Sequence, residues 1–282
     1  MKINALQEAY RKKLISLYEI DEINSFFYLL SEAYLSKSRL DIALNPDEDL
    51  NNEISNLFLN ALEQLTKEYP IQYIIGETEF MDLRFEVNEH VLIPRPETEE
   101  LIRWILRSEE KTVTKSILDI GTGSGCIPIV LAHSLPNSNI TSIDISIKAL
   151  EVAKRNATKN KVKINFQLND ILQTDLPDNN YDIIVSNPPY VRESEKTQMQ
   201  NNVLHHEPDL ALFVSDDDPL IFYRHIALLA LQSLKPDGLL YFEINQYLGL
   251  ELCSIIKDLG FTQVELKKDM YGADRMIRAV KN

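Results

Sequence analysis

Beyond Leu101 the chain alternates between short apolar runs and stretches with helical spacing, and this alternation restricts the fold more than any other feature. The apolar runs lie near 116–119, 139–144, 164–168, 181–186 and 238–244, separated by helical stretches such as Ala149 to Asn160 and Leu220 to Ser233. Continuous apolar runs suit strands buried on both faces, and strands that alternate with helices pair in parallel through crossovers. The expected class is α/β, a doubly wound, mostly parallel sheet. Two last runs, Thr262 to Leu266 and Met276 to Val280, have only a short link between them and complete seven strands as an antiparallel pair.

Open α/β sheets bind ligands outside the carboxyl ends of their strands. At the first such end, Ser116-Ile117-Leu118-Asp119-Ile120 runs into Gly121-Thr122-Gly123-Ser124-Gly125, and a helical segment, Ile127 to Ser134, follows with Pro128 in its first turn. Glycines serve where backbone turns tightly and approaches a ligand closely. Asp144, 23 residues after Gly121, ends the next apolar run, near the ~20-residue offset of a ribose-binding carboxylate. A dinucleotide site calls for Gly-x-Gly-x-x-Gly aimed at a pyrophosphate. Here the third glycine comes one residue early and Asp119 precedes the turn. A carboxylate beside the loop repels a pyrophosphate but suits a cofactor carrying an amino group and a sulfonium, which points to S-adenosyl-L-methionine, with S-adenosyl-L-homocysteine as product. Asp170, in Leu168-Asn169-Asp170-Ile171, stands where an adenine-contacting acid falls in such proteins. The candidate cofactor-binding residues are therefore Asp119, Gly121, Thr122, Gly123, Ser124, Gly125, Asp144, Asp170, Ile171 and Asn187.

The second chemically loaded end is Asn187-Pro188-Pro189-Tyr190, directly after the run 181–186. The Asn side-chain carbonyl accepts one N–H of a planar NH2 group, and a Pro-Pro backbone carbonyl accepts the other. Pro188 biases Asn187 toward an extended conformation, and Tyr190 offers a flat face for an amide or base. These four residues are the candidate substrate-binding set, with Asn187, Pro188 and Tyr190 the candidate catalytic ones. They suit a weak nitrogen nucleophile, held so that its lone pair faces a methyl group, with no dedicated base. His205, His206 and His225 are accordingly read as structural or surface residues.

Pro70 to Gly76, Val91-Leu92-Ile93-Pro94-Arg95-Pro96-Glu97-Thr98-Glu99, Asp119 to Gly125 and Asn187 to Tyr190 together resemble the bacterial release-factor glutamine methyltransferases, the HemK/PrmC family. Glu207-Pro208, Leu234 to Gly238 and Lys268-Asp269 to Arg275 match it as well, so the likeness runs over roughly residues 70 to 280. The most specific string is Ile93 to Glu99, for which no generic role can be derived. The family usually carries Glu-x-Gly-x-x-Gln after its fifth strand, whereas this chain has Glu243-Ile244-Asn245-Gln246-Tyr247-Leu248, and no role is assigned to that loop. The resemblance implies a class I S-adenosylmethionine-dependent methyltransferase, Rossmann-like in fold. It also implies methylation of the amide nitrogen (N5) of the glutamine in the Gly-Gly-Gln motif of peptide chain release factors. Glu97 and Glu99 either contact that partner or begin the helix through Leu101 and Trp104.

Residues 1–75 show apolar positions at helical spacing, such as Leu14, Leu17, Tyr18 and Phe26, Phe27, Leu29, Leu30, and are expected to form a helical bundle, to which the resemblance assigns release-factor binding. Asn45-Pro46-Asp47 interrupts it as a turn. Residues 76–95 alternate at Phe80, Leu83, Phe85, Val87 and at Val91, Ile93, with Asn88-Glu89-His90 between, as in a linking hairpin. The methyltransferase domain is expected over 96–282.

Charge argues about partners. With 29 Lys and Arg against 43 Asp and Glu, the net charge of −14 repels a polyanion. That counts against free nucleic acid, and so against the alternative of an adenine N6 methyltransferase acting on RNA or DNA by base flipping. The acidic surface either attracts a basic protein or simply keeps the chain soluble. A non-enzymatic adapter is the third alternative, opposed by the intact glycine loop, Asp144 and Asn187. Cys126 and Cys253 have no metal or redox spacing, no metal site is expected, and no apolar run approaches ~18 residues. The expectation is a monomeric cytoplasmic enzyme without membrane contact.

Overall fold

The computed structural model describes residues 1–109, 112–174, 176 and 180–282. It divides into two compact units, Met1–Gly76 with Gln200–His206, and Glu77–Met199 with Glu207–Asn282.

The first unit contains α1 (Ile3–Leu14), α2 (Ile20–Leu35), α3 (Arg39–Leu44), α4 (Asn52–Leu65), α5 (Ile71–Ile75) and α9 (Asn201–His206). Ile3, Leu6, Tyr10 and Leu14 form one stripe of α1 and bury it against Ile23, Phe27 and Leu30 of α2 and Phe58, Leu62 and Leu65 of α4. The buried Tyr10 hydroxyl donates to the Phe58 carbonyl at 2.6 Å, so its polar end is satisfied. Leu17 and Leu29 fall off the stripe and are exposed. After the Asn45–Asp47 turn, α4 starts at Asn51, whose side chain accepts the Ile54 N–H at 2.9 Å.

The second unit opens with a hairpin of β1 (Glu77–Phe80) and β2 (Leu83–Glu86). It turns at Met81 and Asp82, with φ of 50° and 62°, the paired positive values of a two-residue hairpin turn. Asn88–His90 do form a turn, closed by the Val91 N–H donating to the Asn88 carbonyl at 3.1 Å, but it joins no second strand, since Val91 and Ile93 are buried in irregular chain. Met-Asp lacks the Asn-Gly signature that marks such turns, which hid the true position.

The main sheet has β3 (Ser116–Ile120), β4 (Asn139–Asp144), β5 (Asn165–Leu168), β6 (Tyr181–Ser186), β9 (Leu234–Glu243), β10 (Thr262–Lys268) and β11 (Asp274–Val280), in the order β10-β11-β9-β6-β3-β4-β5. The five strands from β9 to β5 are parallel, and β11 runs antiparallel to β9 and β10. The seven-stranded, mostly parallel expectation is met. Alternate residues face opposite layers, as the strand pleat requires. Leu118, Ile184 and Phe242 pack with α11 (Ile221–Ser233) and α12 (Gly249–Asp258). Ile117, Ile183 and Tyr241 pack with α6 (Pro96–Arg107) and α7 (Cys126–Ser134). The remaining elements of this unit are α8 (Ile147–Lys159), α10 (Asp209–Leu212) and the two-residue strands β7 (Val191–Arg192) and β8 (Phe213–Val214).

From β3 the chain steps outward to β4 and β5, then returns to place β6 on the other side of β3. The crevice beyond the ends of β3 and β6 is therefore the topological switch point, the expected ligand position in such a sheet.

Candidate active site

A cavity of about 380 Å³ lies at that switch point. Its wall is made by Gly121 to Ser124 after β3, Asp144 to Ser146 after β4, Asn169 to Leu172 after β5, and Ser186 to Pro189 at the end of β6. Val91, Pro94, Arg95 and Thr98 complete it from the segment entering α6.

The three loop glycines do different jobs. Gly121 and Gly123 have φ of 80° and 52° and line the cavity. A Cβ on Gly121 would lie 3.8 Å from the Asn187 carbonyl oxygen, so the two motif loops run side by side. Gly125, with φ 83°, does not line the cavity. A Cβ there would lie 2.9 Å from the Ile129 Cδ1 and 3.1 Å from the Ala153 Cβ, so it serves the contact of α7 with α8. Buried Asn156 of α8 braces the loop from behind, donating to the carbonyls of Ser124 and Glu86, each at 2.9 Å.

Asp144 stands at the end of β4 and accepts the Gly123 N–H at 2.9 Å and the Ser146 N–H at 2.8 Å. Each oxygen keeps a further lone pair for a ligand hydroxyl. Asp170 and Ile171 both line the wall, but the Asp170 carboxylate also caps its own turn, accepting from Leu172 N–H at 3.0 Å and Gln173 Nε2 at 2.6 Å. Asp119 is the exception. It is fully buried behind the wall and takes a 2.6 Å hydrogen bond from Ser142. Burial pushes its pKa up to about 7, the Ser142 hydrogen bond opposes that rise, and Asp144 nearby adds to it. Asp119 Oδ1 and Thr122 Oγ1 are both buried and neither makes a well-formed hydrogen bond with the described residues, the Thr122 hydroxyl lying only close enough to Asp119 to oppose the same rise. Two such oxygens behind a glycine cradle fit a cofactor that brings hydrogen-bond donors and positive charge.

Asn187 Nδ2 donates to Thr98 Oγ1 at 3.4 Å. Thr98 Oγ1 donates in turn to Glu243 Oε2 at 2.6 Å, and the Tyr190 hydroxyl donates to Glu243 Oε1 at 3.2 Å. Burial raises the Glu243 pKa, and Thr98 and Arg275 oppose the rise. Tyr190 therefore sits on a carboxylate and against the core, not in the cavity wall, and its own pKa is raised by burial and by Glu243. Asn245 Nδ2 donates to the Tyr190 carbonyl at 3.0 Å and to Glu195 at 2.9 Å. The loop after β9, left without a role by the sequence, thus holds the far end of the Asn-Pro-Pro-Tyr segment.

The Ile93 to Glu99 string acquires a physical role as well. Glu207 Oε2 accepts the Ile93 N–H at 3.2 Å and Glu207 Oε1 accepts from Arg95 at 2.5 Å. Glu99 takes the Met81 N–H at 3.1 Å and pairs with Arg103, and Glu97 and Glu99 both lie in the first turn of α6. Thr98, Glu207 and Glu243 were not singled out from the residues as site groups, because their partners lie between 53 and 145 positions away.

Residues 101–210 match the family model described as Methyltransferase small domain, and residues 6–76 the PrmC N-terminal domain. A release factor glutamine methyltransferase of Flavobacterium psychrophilum is 50% identical over 281 residues, covering 99% of both chains. One from Bacteroides thetaiotaomicron is 42% identical over 98% of this chain and 99% of its own. Among solved structures, a methyltransferase from Pyrococcus furiosus superposes with a TM-score of 0.53 at 18% identity, covering 79% of this chain and 98% of that one. An rRNA methyltransferase of T. thermophilus, solved with S-adenosylmethionine and guanosine, gives 0.52 at 16% identity over 73% of this chain and 50% of its own. These two support the fold alone, and the full-length relatives decide the rest: the chain belongs to the release factor glutamine methyltransferase family.

Proposed function

We propose that this protein transfers the methyl group of S-adenosyl-L-methionine to the side-chain amide nitrogen of the glutamine in the Gly-Gly-Gln motif of peptide chain release factors, leaving S-adenosyl-L-homocysteine. The observation that carries the reading is the approach of Gly121 to the Asn187 carbonyl, which sets a cofactor cradle and an amide-binding loop against one another in one cavity. Gly121, Thr122, Gly123 and Ser124 would hold the cofactor, with Asp144 for the ribose, Asp170 and Ile171 for the base, and the buried Asp119 and Thr122 oxygens behind the loop for its polar end. When bound, the sulfonium supplies an electrophilic methyl carbon.

The chain's own contribution is orientation. An amide nitrogen attacks poorly because its lone pair is delocalised. Asn187 and the Pro188 carbonyl would each accept one N–H and turn the lone pair toward the methyl carbon, and alignment of this kind reaches ~7–11 kcal/mol in favourable cases. Attack by the nitrogen would displace the sulfur, which keeps the electron pair of the broken carbon–sulfur bond, and the acidified N–H would give its proton to water or a carbonyl. Pro189 would shape the entrance, and Tyr190, held on Glu243, would fix the loop rather than stack on the amide. On the same reading, residues 1–75 bind the release factor, 76–95 link, and 96–282 catalyse, in a cytoplasmic monomer that does not act on free nucleic acid.

The test is mass spectrometry of a release factor after incubation with the protein and S-adenosylmethionine. A 14-dalton gain on the Gly-Gly-Gln glutamine is expected, that being the mass of one methylene inserted into N–H. Methylation of adenine in RNA or DNA with none on the glutamine would overturn the reading.

A further inference from the structure

A side-chain amide has an oxygen edge and an NH2 edge of nearly the same shape, and only the oxygen edge accepts an N–H. Which edge Asn187 turns to the cavity therefore matters to any substrate amide it grips. We propose that Thr98 and Glu243 form a positioning relay that holds the Asn187 side-chain oxygen toward the cavity, on the footing of the glutamine-amide reading given above.

Glu243 ends β9 and is 1% exposed. An ionised carboxylate only accepts hydrogen bonds, so the single Thr98 hydroxyl proton, at 2.6 Å from Glu243 Oε2, is committed to it. Burial raises the Glu243 pKa, but each of its oxygens faces a hydroxyl, Thr98 on Oε2 and Tyr190 on Oε1, and these two with the Arg275 guanidinium oppose the rise, so the group is placed as the acceptor. What Thr98 Oγ1 presents to its other side is lone pairs. They receive the Asn187 NH2 group at 3.4 Å. With the amide turned over, the Asn187 oxygen would meet those same lone pairs, acceptor against acceptor, and the hydrogen-bond network excludes it. Thr98 is 2% exposed and fixed on the first turn of α6, so the relay rests on rigid elements. It also explains why a threonine inside the Ile93 to Glu99 string and a glutamate on a strand 145 positions away belong to one site.

Thr98→Val keeps the side-chain shape and removes the hydroxyl, whereas Thr98→Ser restores it. The expected result is a kcat about 10-fold lower in Thr98→Val, the worth of one neutral hydrogen bond, with S-adenosylhomocysteine affinity unchanged and the rate recovered in Thr98→Ser. A second readout needs no substrate: the side-chain NH2 resonance of Asn187, assigned by its disappearance in Asn187→Ala, should shift in Thr98→Val and return in Thr98→Ser. If Thr98→Val fails to fold, Glu243→Gln serves, since its amide can offer an N–H to Thr98 and release the hydroxyl proton toward Asn187, and the same resonance should move. A parental kcat with an unmoved resonance overturns the relay. Failure of the wild-type protein to methylate a release-factor glutamine overturns the functional reading instead, and the resonance still decides the relay.

Discussion

Arg95 and Glu207, 112 positions apart, are joined by a 2.5 Å ion pair in which the Glu207 side chain is only 2% exposed. Glu207 also takes the Ile93 N–H, and Pro94, Arg95 and Pro208 all line the cavity. The pair therefore stitches two separate sequence strings into one rim of the site. Arg95→Met would leave a buried carboxylate without its partner, a change that costs most where the group is most desolvated. Because Arg95 is itself partly exposed, a loss of about 2–4 kcal/mol is expected, below the full cost of breaking a buried pair. Urea unfolding of Arg95→Met checks it, and Arg95→Met with Glu207→Leu together should recover part of the loss.

Asn187→Ala tests the substrate grip. It should lower methyl transfer to a release-factor glutamine by roughly 100- to 1,000-fold, the cost seen when one preorganised polar contact to a reacting group is removed. Cofactor affinity, measured by calorimetry with S-adenosylhomocysteine, should barely change. A near-parental rate would reduce Asn-Pro-Pro-Tyr to a turn.

Gly123 and Gly125 should separate binding from folding. A Cβ at Gly123 meets nothing within 4 Å, while one at Gly125 runs into Ile129 and Ala153. Gly123→Val is thus expected to fold, with about 1–2 kcal/mol of strain from its positive φ, and to lose S-adenosylhomocysteine binding because its side chain enters the cavity. Gly125→Val should instead lose soluble folded protein or melt far below the parent. Thermal melts with and without S-adenosylhomocysteine distinguish the two.

The raised pKa of Asp119, about 7 against about 3.9 in an unfolded chain, carries a signed pH dependence. Between those values the unfolded chain is ionised while the folded one holds its proton, so the Asp119 contribution to stability is largest below pH 4, falls as pH rises toward 7, and is flat above. Asp119→Asn should therefore gain stability relative to the parent at pH 8 and lose that gain at pH 4. Binding of the positively charged cofactor favours the ionised form, so affinity should rise between pH 6 and 8 with release of a proton, and Asp119→Asn should abolish this rise. Calorimetry in buffers of different ionisation enthalpy measures both.

The layered α/β fold, the glycine loop, Asp144 and the Asn187 segment were legible because each is a local pattern: an apolar run, a turn residue, an acid at a strand end. Strand pleat and crossover geometry convert such patterns directly into positions at the carboxyl edge of the sheet. The hairpin turn was less legible, since Met81 and Asp82 carry positive φ without glycine or asparagine to announce it. Gly125, read with the cofactor set, has its Cβ position filled by Ile129 and Ala153, a packing duty that looks the same in sequence as ligand approach.

The sequence by itself determined the class of fold, the order of its strands and helices, and the two loops that meet at the cavity, since these follow from residue periodicity and from what glycine, proline and acids do to their neighbours. Only the tertiary structure decided which side chains face each other across the sheet. It buried Asp119 behind the loop, took Tyr190 out of the cavity wall, and joined Thr98 to Glu243 and Arg95 to Glu207. Contacts between residues more than a hundred positions apart depend on strand order and helix docking together, and no local pattern encodes them.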